Sequence, residues 1–446
     1  MTFPLTWPAD APAAANAPLL VGYSGGLDST VLLQRLAGDA ALRARGLRAI
    51  HVHHGLHADA DAWAGHCART CAALDIPLDV VRVRVARDGD GLEAAARRAR
   101  HAAFETALAG DAVLVLAHHR DDQAETFLLR ALRASGVDGL AAMRAWRRFG
   151  RGWLWRPLLG VPRQALRDHA HACGLRWIED PSNEDDAHDR NFLRLHVMPA
   201  LRTRWPRADA AFARTAGLQR EAAGLLSEAD AQALAMARTV DPRCLQVSPL
   251  AALPEARRAR VLRQWVNEAG LPPLPAEGVA RIARQLFGDA PGEVGEFAWR
   301  GAVVRRWRDL LWAGPMLPPA PAGIRIDWDG AMPLPWPGGG TLALEIVPPA
   351  GGASGADAAA GIATPFVVHA RMGGERIMLP GRRHSHALKH VLQDLGVPPW
   401  IRARLPLLRD REGTVLAAGN LAFSAGFDAW QRATGRRLHW SGVAAT

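Results

Sequence analysis

Four short polar segments of this 446-residue chain carry the side chains best placed to do chemistry. The first, Ser24-Gly25-Gly26-Leu27-Asp28-Ser29, follows the apolar run 19–23 and opens a helical pattern. Adjacent glycines let backbone N–H groups approach a phosphate with no Cβ in the way, and a helix start adds positive partial charge. Ser24, Ser29 and Thr30 add hydroxyl donors, and Asp28 is suited to hold a divalent cation on a pyrophosphate. No Gly-Lys-Ser/Thr follows, so the loop is not a Walker A, and it is not a GxGxxG either. The second segment is His51-Val52-His53-His54-Gly55-Leu56-His57. The third is Ala117-His118-His119-Arg120-Asp121-Asp122-Gln123-Ala124-Glu125. Asp121 and Glu125 are one helical turn apart and share a face; with Asp122 they can bind Mg²⁺ or take a proton from an amine. The fourth is Asp180-Pro181-Ser182-Asn183-Glu184-Asp185 with Arg190-Asn191 beyond it, which alone reads as a solvated loop with Asx turns.

The elements that must position these groups alternate. Apolar runs at 19–23, 47–53, 78–85, 112–117 and 153–159 read as buried strands. Helical patterns at 28–37, 59–74, 92–108, 121–133 and 163–173 fall after or between them. Strand–helix alternation at this spacing predicts an α/β fold with a mostly parallel sheet, whose ligands bind at the carboxyl ends of the strands. The first three polar segments all fall there. From about 212 long helical patterns take over (212–237, 254–269, 277–287), with β-like stretches in 297–312. Residues 316–364 are rich in Pro, Gly and Ala and read as a linker region, with 348–361 its most flexible-looking part. A last compact unit is expected over 365–446.

Composition narrows the class. With 54 Lys+Arg against 44 Asp+Glu the chain carries +10 and favours a polyanionic partner. Lys389 is the only lysine, so the positive charge is arginine, which grips phosphate bidentately and stacks on bases. Four cysteines form no disulfide framework. Cys67 and Cys71, one helical turn apart beside His66, lack a second ligand pair and read as buried free thiols. Residues 1–10 lack a basic stretch followed by an apolar run, and no apolar stretch reaches membrane-span length, so a cytoplasmic protein is expected.

Taken together, these segments resemble the tRNA(Ile)-lysidine synthetases, a branch of the PP-loop ATP pyrophosphatases. The SGGxDS loop marks the superfamily. His51–Leu56, the AHHxDDQAET run within 116–133, Arg156-Pro157-Leu158-Leu159 and 180–194 are more specific. So is the C-terminal series Arg371-Met372-Gly373-Gly374-Glu375, Gly381-Arg382-Arg383-His384, Leu388-Lys389 and Val397-Pro398-Pro399-Trp400. Where the family segment reads RGSG, this chain has Arg133-Ala134-Ser135-Gly136, a change expected to be tolerated at a helix end.

The resemblance implies an adenine nucleotide alpha hydrolase-like PP-loop catalytic domain over 1–210. A mainly helical tRNA-binding domain over 211–315 and a small α+β tRNA-recognition domain over 365–446 would follow. It implies that ATP, with Mg²⁺, adenylates the C2 oxygen of the wobble cytidine of a CAU-anticodon isoleucine tRNA, and that free L-lysine then displaces AMP. Ser24, Gly25, Gly26, Leu27 and Ser29 would hold the phosphates, with His53 and His118 as further nucleotide or base contacts. Asp28 and Asp121 would hold the metal, and Asp28, Asp121, Asp122 and Glu125 would be catalytic. Asp180, Asn183 and Arg190 would complete the lysine or RNA site, and Arg382, Arg383, His384 and Lys389 would contact tRNA. A homodimer is left open. The alternatives are another PP-loop enzyme, tRNA-modifying or amide-forming, and an RNA-binding protein with a degenerate nucleotide fold. A thiolase should show a C-x-x-C pair, which this chain lacks, and a degenerate fold should show a broken loop, whereas Ser24–Ser29 is intact.

Overall fold

The computed structural model describes residues 16–85, 91–287, 295–317, 319–346 and 365–441, with positions 3, 5, 7, 8 and 11–14. The chain forms two compact units, Met1–Leu226 and Ser227–Thr446.

The first unit is built on strands β1 (Leu19–Gly22), β2 (Arg48–His53), β3 (Leu78–Arg82), β4 (Val113–Val115), β5 (Trp146–Phe149) and β6 (Gly152–Trp155). Its helices are α1 (Leu27–Gly38), α2 (Ala60–Ala73), α3 (Leu92–Ala107), α4 (Arg120–Leu132), α5 (Arg163–Ala172), α6 (Met198–Arg204) and the start of α7 (Ala208–Ala237). The strands form one sheet in the order β3-β2-β1-β4-β6-β5. β1 lies parallel to both β2 and β4, in register Leu20 with Arg48 and with Leu114. β6 continues the parallel set, and β5 closes the edge antiparallel to β6. Leu19-Leu20-Val21 and Val113-Leu114-Val115 are apolar without alternation because helices cover both faces of the sheet. On one face Val31, Leu32 and Leu36 of α1, Cys67 and Cys71 of α2 and Leu166 of α5 pack over Leu19, Val21, Val113 and Val115. On the other, Phe104 and Leu108 cover Leu20, Ile50 and Leu114. The order reverses direction between β1 and β4, which makes their carboxyl ends the switch point where such sheets bind ligands.

In the second unit α8 (Glu255–Glu268) and α9 (Ala276–Leu286) share one core with the antiparallel sheet β7 (Cys244–Gln246), β10 (Leu310–Pro315), β9 (Ala302–Trp307) and β8 (Gly295–Trp299), ordered as written. Trp265 fills that core and donates its indole N–H to Pro242 O (3.1 Å). A second core, around Phe366, Phe427, Trp430 and Trp440, lies among β11 (Arg325–Trp328), β12 (Leu334–Pro335), β13 (Thr341–Ile346), β14 (Phe366–Ala370), β15 (Arg376–Ile377), β16 (His386–Ala387), β17 (Pro406–Arg409), β18 (Val415–Ala418), β19 (Ala422–Phe423) and β20 (Arg436–Trp440). Helices α10 (Leu388–Asp394) and α11 (Ala425–Thr434) complete it.

Two expectations need correcting. The region 316–364 is not a linker throughout: β11 pairs with β14, and β13 pairs with β20 from Leu342–Trp440 to Ile346–Arg436. Its glycines serve turns, with φ of 77° at Gly330 and 98° at Gly339, and the partner strands lie too far along the chain for a local reading to find. The stretch 348–361 lies outside the described residues. The boundary drawn at 210 also falls inside a continuous helix, α7, and the two units divide after Leu226.

Candidate active site

The turn after β1 is shaped for an anion. Gly25 has φ +85°, and a Cβ there would run into the Ile178 side chain and stand 2.9 Å from Cys67 Sγ. Glycine is therefore required on two grounds. Gly26 is the N-cap of α1 and no side chain caps that helix, so its first-turn N–H groups are left for a ligand. Asp28 is in the first turn rather than at the cap. The hydroxyls hold the turn from within: Ser24 Oγ lies 3.0 Å from Ser29 Oγ, and Thr30 Oγ1 donates to Gly26 O (3.0 Å). Ile178 N–H donates to Gly25 O (2.9 Å), tying the segment before Asp180 to the loop.

Beside the loop, at the end of β4, stands a side chain the sequence did not single out. His119 is 1% exposed and caps α4: its Nδ1 accepts from Asp122 N–H (3.4 Å), while Asp122 Oδ2 accepts from His119 N–H (3.0 Å). That leaves Nε2 facing Asp122 Oδ2 at 3.4 Å and Asp28 Oδ2 at 3.6 Å. Burial by itself would depress this imidazole, but the contact with Asp28 and the charges of Asp122, Asp28 and Asp121 raise it above the ordinary histidine value. Burial likewise pushes Asp122 up, and the His119, His118 and Arg190 charges outweigh it, holding the carboxyl below its usual range.

His118 has the opposite character. Burial, then the nearby Arg156, Arg190 and Arg100 charges against Asp122, lower it to about 3, so the ring is neutral. Its Nδ1 accepts from Arg156 Nε (3.3 Å).

The expected acidic triad is present but compensated. Arg194 grips Glu125 bidentately (Nε to Oε1 2.8 Å, Nη2 to Oε2 2.9 Å) and reaches Asp122 Oδ1 at 3.3 Å. Arg190 Nε stands 3.1 Å from Glu125 Oε2, and its Nη2 donates to Thr126 Oγ1 (2.8 Å). Asp121 accepts from Arg163 N–H (3.0 Å) and from Arg202 Nη2 (3.1 Å). Asp121 and Glu125 do share the face of α4 that the spacing predicts, yet arginines from the later segments already meet both. Arg163 and Arg202 escaped sequence reading, and Arg194 was read only as the end of the segment 180–194 with no role, since nothing local tells a pairing arginine from a solvated one.

The metal expectation divides accordingly. Asp28 Oδ1 is buried without a hydrogen bond, with Arg163 Nε at 3.7 Å, while its Oδ2 faces His119 Nε2 at 3.6 Å. One open carboxylate next to a phosphate-type cradle fits Mg²⁺, which takes most of its ligands from phosphate and water. Asp121 has both oxygens engaged and is not open to it.

The remaining expected residues are dispersed. His53 is buried at the end of β2, with Asp61 Oδ1 at 3.2 Å and Arg82 Nη1 at 3.4 Å. Asp180 caps the short turn Pro181–Glu184 by accepting from Ser182 N–H (2.9 Å). Asn183 falls on that turn, and its side chain lies outside the described residues. Arg382, Arg383 and His384 are exposed between β15 and β16, and Lys389 is exposed on the first turn of α10. Ala134, expected to be harmless, has φ +51° just past α4, a left-handed conformation that favours glycine. Among the described residues no helix is long and apolar enough to cross a membrane.

A parallel sheet with an uncapped, glycine-turned helix start at its switch point defines a PP-loop domain, and the PP-loop domain family model matches residues 9–201. Models of the TilS substrate binding domain and the TilS substrate C-terminal domain match residues 245–312 and 366–440. The tRNA(Ile)-lysidine synthase of Xanthomonas axonopodis pv. citri is 53% identical over 430 residues, 96% of this chain and 95% of its own length. Those of Xylella fastidiosa (50% over 427 residues, 95% of each chain) and Pseudomonas syringae pv. tomato (42% over 430 residues, 92% of this chain and 90% of its own) agree. The chain belongs to the tRNA(Ile)-lysidine synthase family.

Proposed function

We propose that this protein is a cytoplasmic ligase that uses ATP to join free L-lysine to C2 of the wobble cytidine of a CAU-anticodon isoleucine tRNA. The observation that carries the reading is the meeting, at the β1/β4 switch point, of an uncapped anion-binding helix start with the Asp28–His119–Asp122 cluster. The first-turn N–H groups from Leu27 onward, with Gly25, Gly26, Ser24 and Ser29, take the leaving pyrophosphate. Mg²⁺ would be held by Asp28 and would offset charge on that leaving group.

The cytidine C2 oxygen attacks the α-phosphate and pyrophosphate departs. The lysine ε-amine then attacks C2 and AMP departs. Lysine arrives as an ammonium and must lose a proton before it can attack. Asp122 and Glu125 are the acidic groups for it, and Arg190 and Arg194 set their orientation. Asp121 is held by Arg202 and shapes the start of α4. His118, neutral and accepting from Arg156, suits a base contact, as does His53. Asp180, Asn183 and Arg190 line the lysine or RNA site. Arg382, Arg383, His384 and Lys389 take phosphates of the tRNA body.

The test is incorporation of labelled lysine, with ATP and Mg²⁺, into isoleucine and methionine tRNA transcripts that share the CAU anticodon. Acid-stable, ATP-dependent label in the first alone is expected. AMP formation with another RNA or amine, and no label here, would overturn the substrate.

A further inference from the structure

The segment between α6 and α7 carries a feature with no part in the chemistry above. Trp205 is 59% exposed, yet its backbone is fixed on both sides: its N–H donates to Leu201 O (2.7 Å), and its carbonyl accepts from Ala208 N–H (3.0 Å). The indole borders a recess of about 660 Å³ lined by Leu201, Arg204, Arg207, Ala211 and Phe212. The recess is apolar, and its rim is cationic. Arg204 lies 6.0 Å from the indole centroid, and neither Arg204 nor Arg207 has a carboxylate in ion-pair range among the described residues. Arg202, two positions earlier, is by contrast fully paired with Asp209 and Asp121.

The recess is also anchored to the candidate active site. Arg202 holds Asp121 at 3.1 Å, and Phe212 stacks on Phe127 (5.7 Å, 25°) of α4, the helix that carries Asp121, Asp122 and Glu125.

We propose that Trp205, with Arg204 and Arg207, is a stacking platform for one unpaired nucleobase of the RNA substrate, next to the reacting cytidine. This rests on the RNA-modifying reading above. An exposed aromatic face on a hydrogen-bonded backbone, with guanidiniums at its edge that have no carboxylate in range, matches a nucleotide, whose flat base and anionic phosphate need both. A purely apolar protein surface would meet the floor but leave two like charges buried and unmatched.

The test measures binding of the CAU-anticodon isoleucine tRNA transcript by filter retention, alongside lysine incorporation. Trp205→Ala should weaken binding on the order of ten- to a hundredfold. Trp205→Phe, which keeps a ring face, should stay within about threefold of wild type. Trp205→Leu, which keeps apolar area without a ring, should fall with the alanine variant. The salt dependence of binding should be unchanged in Trp205→Ala, while Arg204→Gln and Arg207→Gln should each lower its logarithmic slope by about 0.7. In transcripts with single abasic loop positions, one position should weaken wild type and have no further effect in Trp205→Ala.

Rescue by leucine, wild-type binding by the alanine variant, or no abasic position coupled to Trp205 would overturn the platform. A wild type that retains the transcript but transfers no lysine to it would overturn the function and leave the platform standing. Unchanged thermal transitions and ATP binding establish that the variants are folded.

Discussion

Replacing Arg194, which is half-buried against Glu125 and Asp122, by Met should destabilise the first unit. Glu125 is 2% exposed and takes two bonds from Arg194, with only the Arg190 contact at 3.1 Å to replace them. Stripping a buried carboxylate of its partner costs about 3–5 kcal/mol, and the remaining Arg190 reduces that to about 3 kcal/mol. In a unit of this size that lowers the midpoint by about 6–12 °C. Calorimetry of the full chain, reading the transition that ATP shifts upward, is the assay. Adding Glu125→Gln should restore at least half of the loss, because no buried charge is then left alone, which corresponds to a coupling of about 2 kcal/mol. A shift below about 2 °C, or strictly additive effects in the double variant, would refute the clamp.

Asp28→Ala should abolish pyrophosphate release while the tRNA is retained on filters as by wild type; release at the wild-type rate would remove Asp28 from the chemistry. Ala134→Gly should stabilise the first unit by about 1 kcal/mol, read as a higher urea midpoint, because the φ of +51° suits glycine. Stability should also respond to pH through His118. The His118 value, lowered to about 3, makes the unfolded chain bind the extra proton first, so stability drops as pH falls from about 6.5 toward 3. His118→Gln should flatten that decline.

The catalytic sheet was legible because β1 and β4 are apolar without interruption and each runs into a polar segment at its carboxyl end. The loop was legible because two adjacent glycines before an acidic helix turn have few other uses. The ring that matters in the His118-His119 pair was not: which one turns inward depends on α4 starting at Arg120, so that His119 becomes the cap. Edge strand β5 went unread because Trp146-Arg147-Arg148-Phe149 is short and half charged. The arginine side chains that meet these carboxylates lie 65 to 135 positions along the chain (Arg190 from Glu125, Arg163 from Asp28), a separation at which composition says nothing about contact.

The pairing of β13 with β20 makes the last strand of the chain depend on residues before the Gly/Ala-rich stretch. A fragment cut at residue 366, where the family match begins, would carry β20 without its neighbour and β14 without β11, leaving two open edges able to recruit other chains. The C-terminal sheet is therefore assembled from both sides of that stretch. The unit that keeps every one of these strand pairs whole runs from Arg325 to Trp440.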